Sequence, residues 1–151
     1  MPQLSLSEIL SLIPQREPFR FVDELLEIDD ERAVGAFTFR HDHDFYRGHF
    51  PDNPITPGVI LIETMVQAAA VPLLCHLLSQ EVDVEALARS HMLFTEVEVE
   101  FSGVVRPGDR VIARSHKVFY RRRKLRAEVT LAREDGTEVL SGFAAAIAVV
   151  P

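Results

Sequence analysis

The chain has 151 residues, 47% of them hydrophobic, and a formal net charge of −7 at pH 7. This length suits one domain with a substantial core, and we expect a single domain over residues 1–151. The acidic charge balance argues against non-specific binding of nucleic acid through the whole surface. Cys75 is the only cysteine and lies in an apolar segment, which predicts a buried small hydrophobe. No basic stretch followed by an apolar core opens the chain, which favours a cytoplasmic protein.

The N-terminal part of the chain predicts one short helix and two strands. Ser5 and Glu8 have the spacing of a capping box at a helix start, and Pro14 is expected to end that helix. Residues 19–28 and 32–40 have strand character and flank an acidic turn. Together they predict a helix followed by a pair of strands.

Residues 59–78 are apolar nearly all round and predict a buried helix. Pro72 is expected to bend or interrupt it, because proline has no N–H to donate to the preceding turn. A membrane span is the alternative, since the segment approaches the ~20 residues that a bilayer requires. The polar residues Glu63, Gln67 and His76 and the lack of a basic flank favour a buried helix without a membrane span.

The second half of the chain is rich in strand patterns. Residues 80–89 are polar and predict a loose connection or a short helix. The predicted strands cover residues 92–101, 111–120, 125–133 and 138–149. One apolar helix among several strands must be wrapped by a sheet to hide its whole circumference. We therefore predict an α+β fold, with an antiparallel β-sheet around one long central α-helix and an alanine-rich last strand close to it.

The segment 48–67 carries the strongest functional pattern. His49 lies in a loop that three prolines should make rigid, and Glu63 lies about one and a half turns inside the apolar helix. A carboxylate there is costly to bury unless it is hydrogen-bonded, paired or partly hydrated. A rigid histidine and a buried acid together indicate proton-transfer chemistry, although a structural histidine and a buried ion pair would give the same pattern.

These residues belong to a pattern that resembles the FabZ-type 3-hydroxyacyl-[acyl-carrier-protein] dehydratases of the hotdog superfamily. The matching segments are Gly48-His49-Phe50-Pro51, Pro54 to Gly58, Glu63, Gln67, Leu12 to Asp23, and Phe101 to Asp109. The chain departs from the family pattern at Gln15, where histidine is usual. The helix acid is glutamate as in the FabZ-type branch, whereas FabA-type dehydratase/isomerases have aspartate there.

The resemblance implies a hotdog fold and dehydration of (3R)-3-hydroxyacyl-acyl carrier protein to the trans-2-enoyl product. This chemistry needs a base for the α-proton, an acid for the β-hydroxyl and a donor to the thioester oxygen. His49 is the candidate base, and the amide of Gly58 or Val59 is the candidate oxyanion donor. Glu63 is the candidate for the β-hydroxyl, and it would either protonate this group or orient the water that does so. Gln67, one turn beyond the acid, is expected to anchor the carboxylate or to line the acyl tunnel.

The resemblance also implies a homodimer, or a trimer of dimers, in which His49 and Glu63 meet across the interface. Acyl carrier protein would be the partner, and no cofactor is expected. A hotdog thioesterase and a non-catalytic module that binds carrier protein are the alternative functions. Tyr46 and Phe50 flank the histidine and are candidates for binding the acyl chain, with core packing as the alternative.

Two further clusters are ambiguous. His41 and His43 would share a face of a strand and could reach one metal ion. No third ligand lies at a spacing typical of metal sites, so a solvated strand end is favoured and no metal is expected.

A basic run is typical of a solvated turn between strands, yet it would also attract an acidic carrier protein. Its members are Arg121, Arg122, Arg123 and Lys124.

Overall fold

The computed structural model describes residues 2–151, and a 21-residue helix, Gly58–Leu78, lies at its centre. One six-stranded sheet wraps this central helix in the order β1-β2-β4-β5-β6-β3, and every pair of neighbours is antiparallel. The strands are Glu24–Ile28 (β1), Arg32–Thr38 (β2), His91–Phe101 (β3), Arg110–Arg121 (β4), Lys124–Arg133 (β5) and Glu138–Val149 (β6). Short helices cover Leu6–Leu12 and Val84–Ala88, and a 3-10 turn covers Asp44–Arg47. The predicted wrapping of a sheet around one helix is confirmed.

The first strand is shorter than predicted. Residues 19–28 have strand character, but β1 covers only Glu24–Ile28. The Phe21 N–H donates to Oε1 of Gln67 at 2.7 Å, and Nε2 of Gln67 donates to the Phe19 carbonyl at 3.1 Å. At Phe19 and Phe21 the chain therefore bonds to a helix side chain, and pairing with β2 begins only at Asp23, whose N–H donates to the Ala36 carbonyl at 2.8 Å. The second strand likewise ends at Thr38 and not at residue 40.

Pro72 does not break the central helix. The helix widens to π geometry over Val66–Ala70 and returns to α geometry at Val71, so Pro72 falls within the first turn after the widening. A π turn changes the hydrogen-bonding pattern of the helix and so accommodates a proline, which has no backbone N–H to donate. By length and composition the helix could cross a membrane, but 72% of its apolar window is buried inside this fold. Enclosure by the sheet accounts for its apolar composition.

The sheet approaches the backbone of the central helix closely at the π turn. A Cβ atom at Gly35 would collide with the carbonyl oxygen of Ala68. The Ser115 hydroxyl donates to the carbonyl of Ala69 at 2.9 Å. Three alanines of the last strand, Ala144, Ala146 and Ala148, belong to the same buried core as the helix.

Strand β3 forms one edge of the sheet and carries exposed apolar side chains. Leu93, Phe94, Val97 and Phe101 are 53%, 39%, 43% and 49% exposed, whereas Met92 is buried. A register shift between Phe94 and Glu96 interrupts the alternation of side chains between the two faces of the strand. A long apolar edge with unpaired backbone groups invites a further strand.

Candidate active site

His49 lies in a tight loop between the 3-10 turn and the central helix. Its Nδ1 is 2.9 Å from the carbonyl oxygen of Ile55, whose own N–H donates to the His49 carbonyl at 3.0 Å. The His49 N–H donates to the Phe45 carbonyl at 3.0 Å. A carbonyl oxygen only accepts, so Nδ1 carries the proton and Nε2 keeps a free lone pair. The half-buried ring is thereby held as the tautomer that can act as a base.

Glu63 lies half-buried on the central helix, one turn before Gln67. Nε2 of Gln67 donates to Oε1 of the carboxyl group at 2.8 Å. Gln67 is fully buried, and its bonds to Phe21 and Phe19 fix which end of the amide faces Glu63. Burial raises the pKa of Glu63, and the hydrogen bond from Gln67 offsets part of this effect. One carboxyl oxygen is thus anchored, and the other is left to hold a proton.

The start of the central helix supplies free backbone donors. Pro57 precedes the helix, and the amides of Gly58 and Val59 donate to no protein acceptor within residues 2–151. Free N–H groups at a helix start favour a developing negative charge, because the helix dipole adds to their partial positive charge. The Phe101 ring lies 3.1 Å from where a Cβ of Gly58 would be, so a larger residue there would displace the ring.

The structure does not join the two predicted acid–base residues within one chain. Glu63 is hydrogen-bonded to Gln67, and His49 to Ile55, but no hydrogen bond links His49 to Glu63 in the described part of the chain. Each half of the predicted site is therefore held separately, one by a loop and the other by the central helix.

The two aromatic residues predicted to bind the acyl chain differ in their surroundings. Phe50 is 50% exposed, and its ring stacks on His49 at 4.2 Å, where a substrate could contact it. Tyr46 is 5% exposed, and its hydroxyl lies 2.5 Å from Oγ1 of Thr56. The position of Tyr46 corresponds to the packing alternative, with a buried hydrogen bond that the sequence does not reveal. Gln67 likewise anchors the carboxyl group and lines no open surface in this chain.

The basic run forms the turn between β4 and β5, as predicted. Arg122 and Arg123 adopt positive φ angles of 50° and 61°. Arg123 pairs with Glu81 at 3.5 Å, and Lys124 donates to Glu96 at 2.8 Å. Within residues 2–151, Arg121 and Arg122 have no ion-pair partner, so they carry the uncompensated charge of this turn.

The prediction of a solvated strand end at His41 and His43 is wrong for His43. Its side chain is 9% exposed and stacks face to face on Phe45, with ring centroids 5.1 Å apart. Burial lowers the pKa of His43, so its neutral form is favoured. His41 is exposed and lies against Gly108. In the described range, 2–151, no cluster of three potential metal ligands occurs.

Sequence reasoning misses three groups that position these side chains. The Phe21 N–H and the Phe19 carbonyl hold Gln67, but backbone groups give no signal in a sequence. Thr56 is buried between two prolines and bonds to Tyr46. A hydroxyl residue in an otherwise apolar and proline-rich stretch is the one signal that could have identified it.

A family model and curated relatives match most of the chain. A family model described as the FabA-like domain matches residues 13–142. The 3-hydroxyacyl-[acyl-carrier-protein] dehydratase FabZ of Thermoanaerobacter pseudethanolicus is 36% identical over 107 residues, covering 70% of each chain. FabZ of Chloroflexus aggregans is 39% identical over 108 residues, covering 70% of this chain and 69% of the relative.

Solved structures share the architecture at low sequence identity. The dehydratase heterocomplex ApeI:P from Xenorhabdus doucetiae aligns with a TM-score of 0.75 at 14% identity, over 99% of this chain and 93% of the other. A mutant of thioesterase PA1618 from Pseudomonas aeruginosa aligns with a TM-score of 0.67 at 15% identity, over 99% and 97%. The wrapped helix therefore defines a hotdog-fold protein, as predicted. The family model matches most of this chain, and the FabZ relatives are similar to it over 70% of its length. These matches show that the chain belongs to the FabA-like family.

Proposed function

We propose that the protein is a 3-hydroxyacyl-[acyl-carrier-protein] dehydratase that forms trans-2-enoyl-acyl carrier protein in fatty acid or related acyl-chain synthesis. The observation that carries this proposal is the state of Glu63 in a chain related to FabZ. Its carboxyl group has a raised pKa and is held through one oxygen by Gln67. An acid that must protonate a poor leaving group needs this kind of environment.

Each step of the reaction has a group in the chain. The free Nε2 of His49 removes the proton from the α-carbon. Negative charge then builds on the thioester oxygen, which the amides of Gly58 and Val59 stabilise. The carbon–oxygen bond at the β-carbon breaks as Glu63 gives its proton to the hydroxyl, which leaves as water. The α,β double bond takes the electron pair, and the proton on His49 returns to Glu63 through solvent before the next turnover.

The exposed edge of the sheet supports a homodimer with shared sites. Strand β3 is 11 residues long and pairs only with β6, so its other edge is open to a second copy of the same strand, which would cover the exposed Leu93, Phe94, Val97 and Phe101. We place His49 of one copy against Glu63 of the other, since no hydrogen bond joins them within the described chain. Assembly of three such dimers is compatible with the same edge pairing.

The basic turn supports docking of the acidic carrier protein. Ala148, beside the start of β3, donates to the Arg123 carbonyl, so the turn lies at the His91 end of the sheet. Antiparallel pairing of β3 with its copy would bring the His91 end of one chain beside the Phe101 end of the other. Phe101 contacts Gly58, so the basic turn of one copy would approach the helix start of its partner. The unpaired Arg121 and Arg122 would attract the carrier there.

We place this enzyme among soluble proteins of the cytoplasm, with no cofactor in the reaction. Acyl-chain synthesis on a carrier protein supplies the substrate in that compartment. A reduced compartment fits the composition, because Cys75 is the only cysteine and no disulfide can form within the chain.

The test is hydration of trans-2-enoyl-acyl carrier protein, followed by loss of the enoyl absorbance. We expect turnover in the wild type and a loss of about 10²–10⁴-fold in His49→Ala. His116→Ala is the matched control, since this exposed histidine lies on β4 outside the site. Release of free thiol without hydration would indicate a thioesterase. Binding of carrier protein with neither reaction would indicate a non-catalytic module, and either result would overturn the proposal.

A further inference from the structure

The loop that carries His49 is closed at its base by one buried side-chain hydrogen bond. The Tyr46 hydroxyl lies 2.5 Å from Oγ1 of Thr56, and the two residues are 5% and 3% exposed. The Thr56 N–H donates to the Val105 carbonyl at 2.9 Å, which ties this end of the loop to the segment before β4. The Tyr46–Thr56 bond therefore joins the two ends of the loop and attaches them to the body of the fold.

The backbone neighbours of these two residues make the hydrogen bonds that hold His49. Ile55, which precedes Thr56, accepts from Nδ1 and donates to the His49 carbonyl. Phe45, which precedes Tyr46, accepts from the His49 N–H at 3.0 Å. A shift of Tyr46 away from Thr56 would therefore move both the acceptor of the His49 ring and the acceptor of its backbone N–H.

We propose that the Tyr46–Thr56 hydrogen bond is a positioning device, which fixes the His49 ring so that Nε2 faces the α-carbon of the substrate. This inference rests on the proposed dehydratase function. It assigns Tyr46 to the placement of the catalytic base and not to contact with the acyl chain. A purely structural role is the competing explanation, because both side chains also fill the core.

The bond persists over the pH range in which the enzyme would be assayed. Burial raises the pKa of Tyr46 to about 12, so its hydroxyl stays protonated. Either oxygen can donate to the other, and both are buried away from water. Its effect on the rate should therefore be the same in neutral and mildly alkaline buffer.

The test uses Tyr46→Phe, Thr56→Val and the double variant, each of which removes the bond with little change in volume. Trans-2-enoyl-acyl carrier protein is the substrate. We expect kcat to fall about three- to tenfold in each single variant, with KM within about twofold of the wild type. The double variant should be no slower than either single one, because only one bond is lost. Thr56→Ser keeps the hydroxyl and should restore the wild-type kcat.

Tyr120→Phe is the matched control, since this half-buried tyrosine lies at the far end of β4. It should leave kcat unchanged. Unchanged kcat in Tyr46→Phe together with a lowered melting temperature would overturn the positioning role and leave the dehydratase function intact. Additive losses in the double variant would also overturn it, because the two residues would then act separately. If the wild type gives no hydration at all, the proposed function and this inference fail together.

Discussion

Replacing Glu63 with glutamine should make the protein more stable at neutral pH and inactive. Glutamine has the shape of glutamate but cannot ionise. The Gln67 amide, which donates to Glu63 at 2.8 Å, can donate equally to a glutamine carbonyl. The substitution therefore keeps the hydrogen bond and removes only the charge, whose burial raises the pKa of Glu63. A catalytic residue that lowers the stability of the fold is expected to give this result, a gain in stability and a loss of activity, when it is replaced.

The pH dependence of this effect has a definite sign. A raised pKa in the folded state means that folding favours the protonated carboxyl group. Its contribution to stability is fully present below pH 4.5, the ordinary pKa of glutamate, and is lost as the pH rises through the raised pKa. The stability advantage of Glu63→Gln should thus be small near that ordinary value and grow towards neutrality. Because Glu63 is only half-buried and keeps one hydrogen bond, we expect an advantage of about 0.5–2 kcal/mol. This corresponds to about 1–8 °C in Tm for a chain of this size.

Thermal unfolding at a series of pH values, with hydration of enoyl-acyl carrier protein measured in parallel, tests this reasoning. Glu128→Gln is the control, since this exposed glutamate on β5 should show no such pH-dependent gain. A variant less stable than the wild type at neutral pH would refute the reasoning, because the carboxylate would then be stabilised by its surroundings. Retained turnover in Glu63→Gln would refute the role of Glu63 as the acid.

Two further predictions follow from the anchor of Glu63 and from the edge of the sheet. Gln67→Leu leaves the Phe21 N–H unpaired, so we expect a loss of about 1–3 kcal/mol in denaturant unfolding and a lower kcat. A loss below about 0.5 kcal/mol would contradict the anchoring role. Val97→Lys places a charge on the apolar edge and should give an inactive monomer in sedimentation, whereas Val118→Lys on the outside of β4 should not. A fully active Val97→Lys dimer would exclude β3 as the interface.

The sequence predicts the central helix, the number of strands in its second half and the location of the acid, because these depend on local patterns. It does not predict the start of β1, since the backbone of Phe21 is held by a side chain 46 residues away. The burial of His43 is likewise set by aromatic rings from several segments, and a His-x-His pattern carries no information about them. Local sequence patterns therefore do not predict contacts between segments that are far apart in the sequence.

The placement of the site is coupled to the way the sheet encloses the helix. Pro72 removes a helical donor just beyond Gln67, and the helix widens over Val66–Ala70 as a result. The sheet packs directly on this widened segment, because Gly35 of β2 lies against the Ala68 carbonyl and the Ser115 hydroxyl donates to the Ala69 carbonyl. One carbonyl of the irregular turn therefore receives a hydrogen bond from the sheet. The turn places Gln67 in the widened segment, where it reaches the chain before β1 and holds Glu63, so the same contacts that wrap the helix also orient the acid.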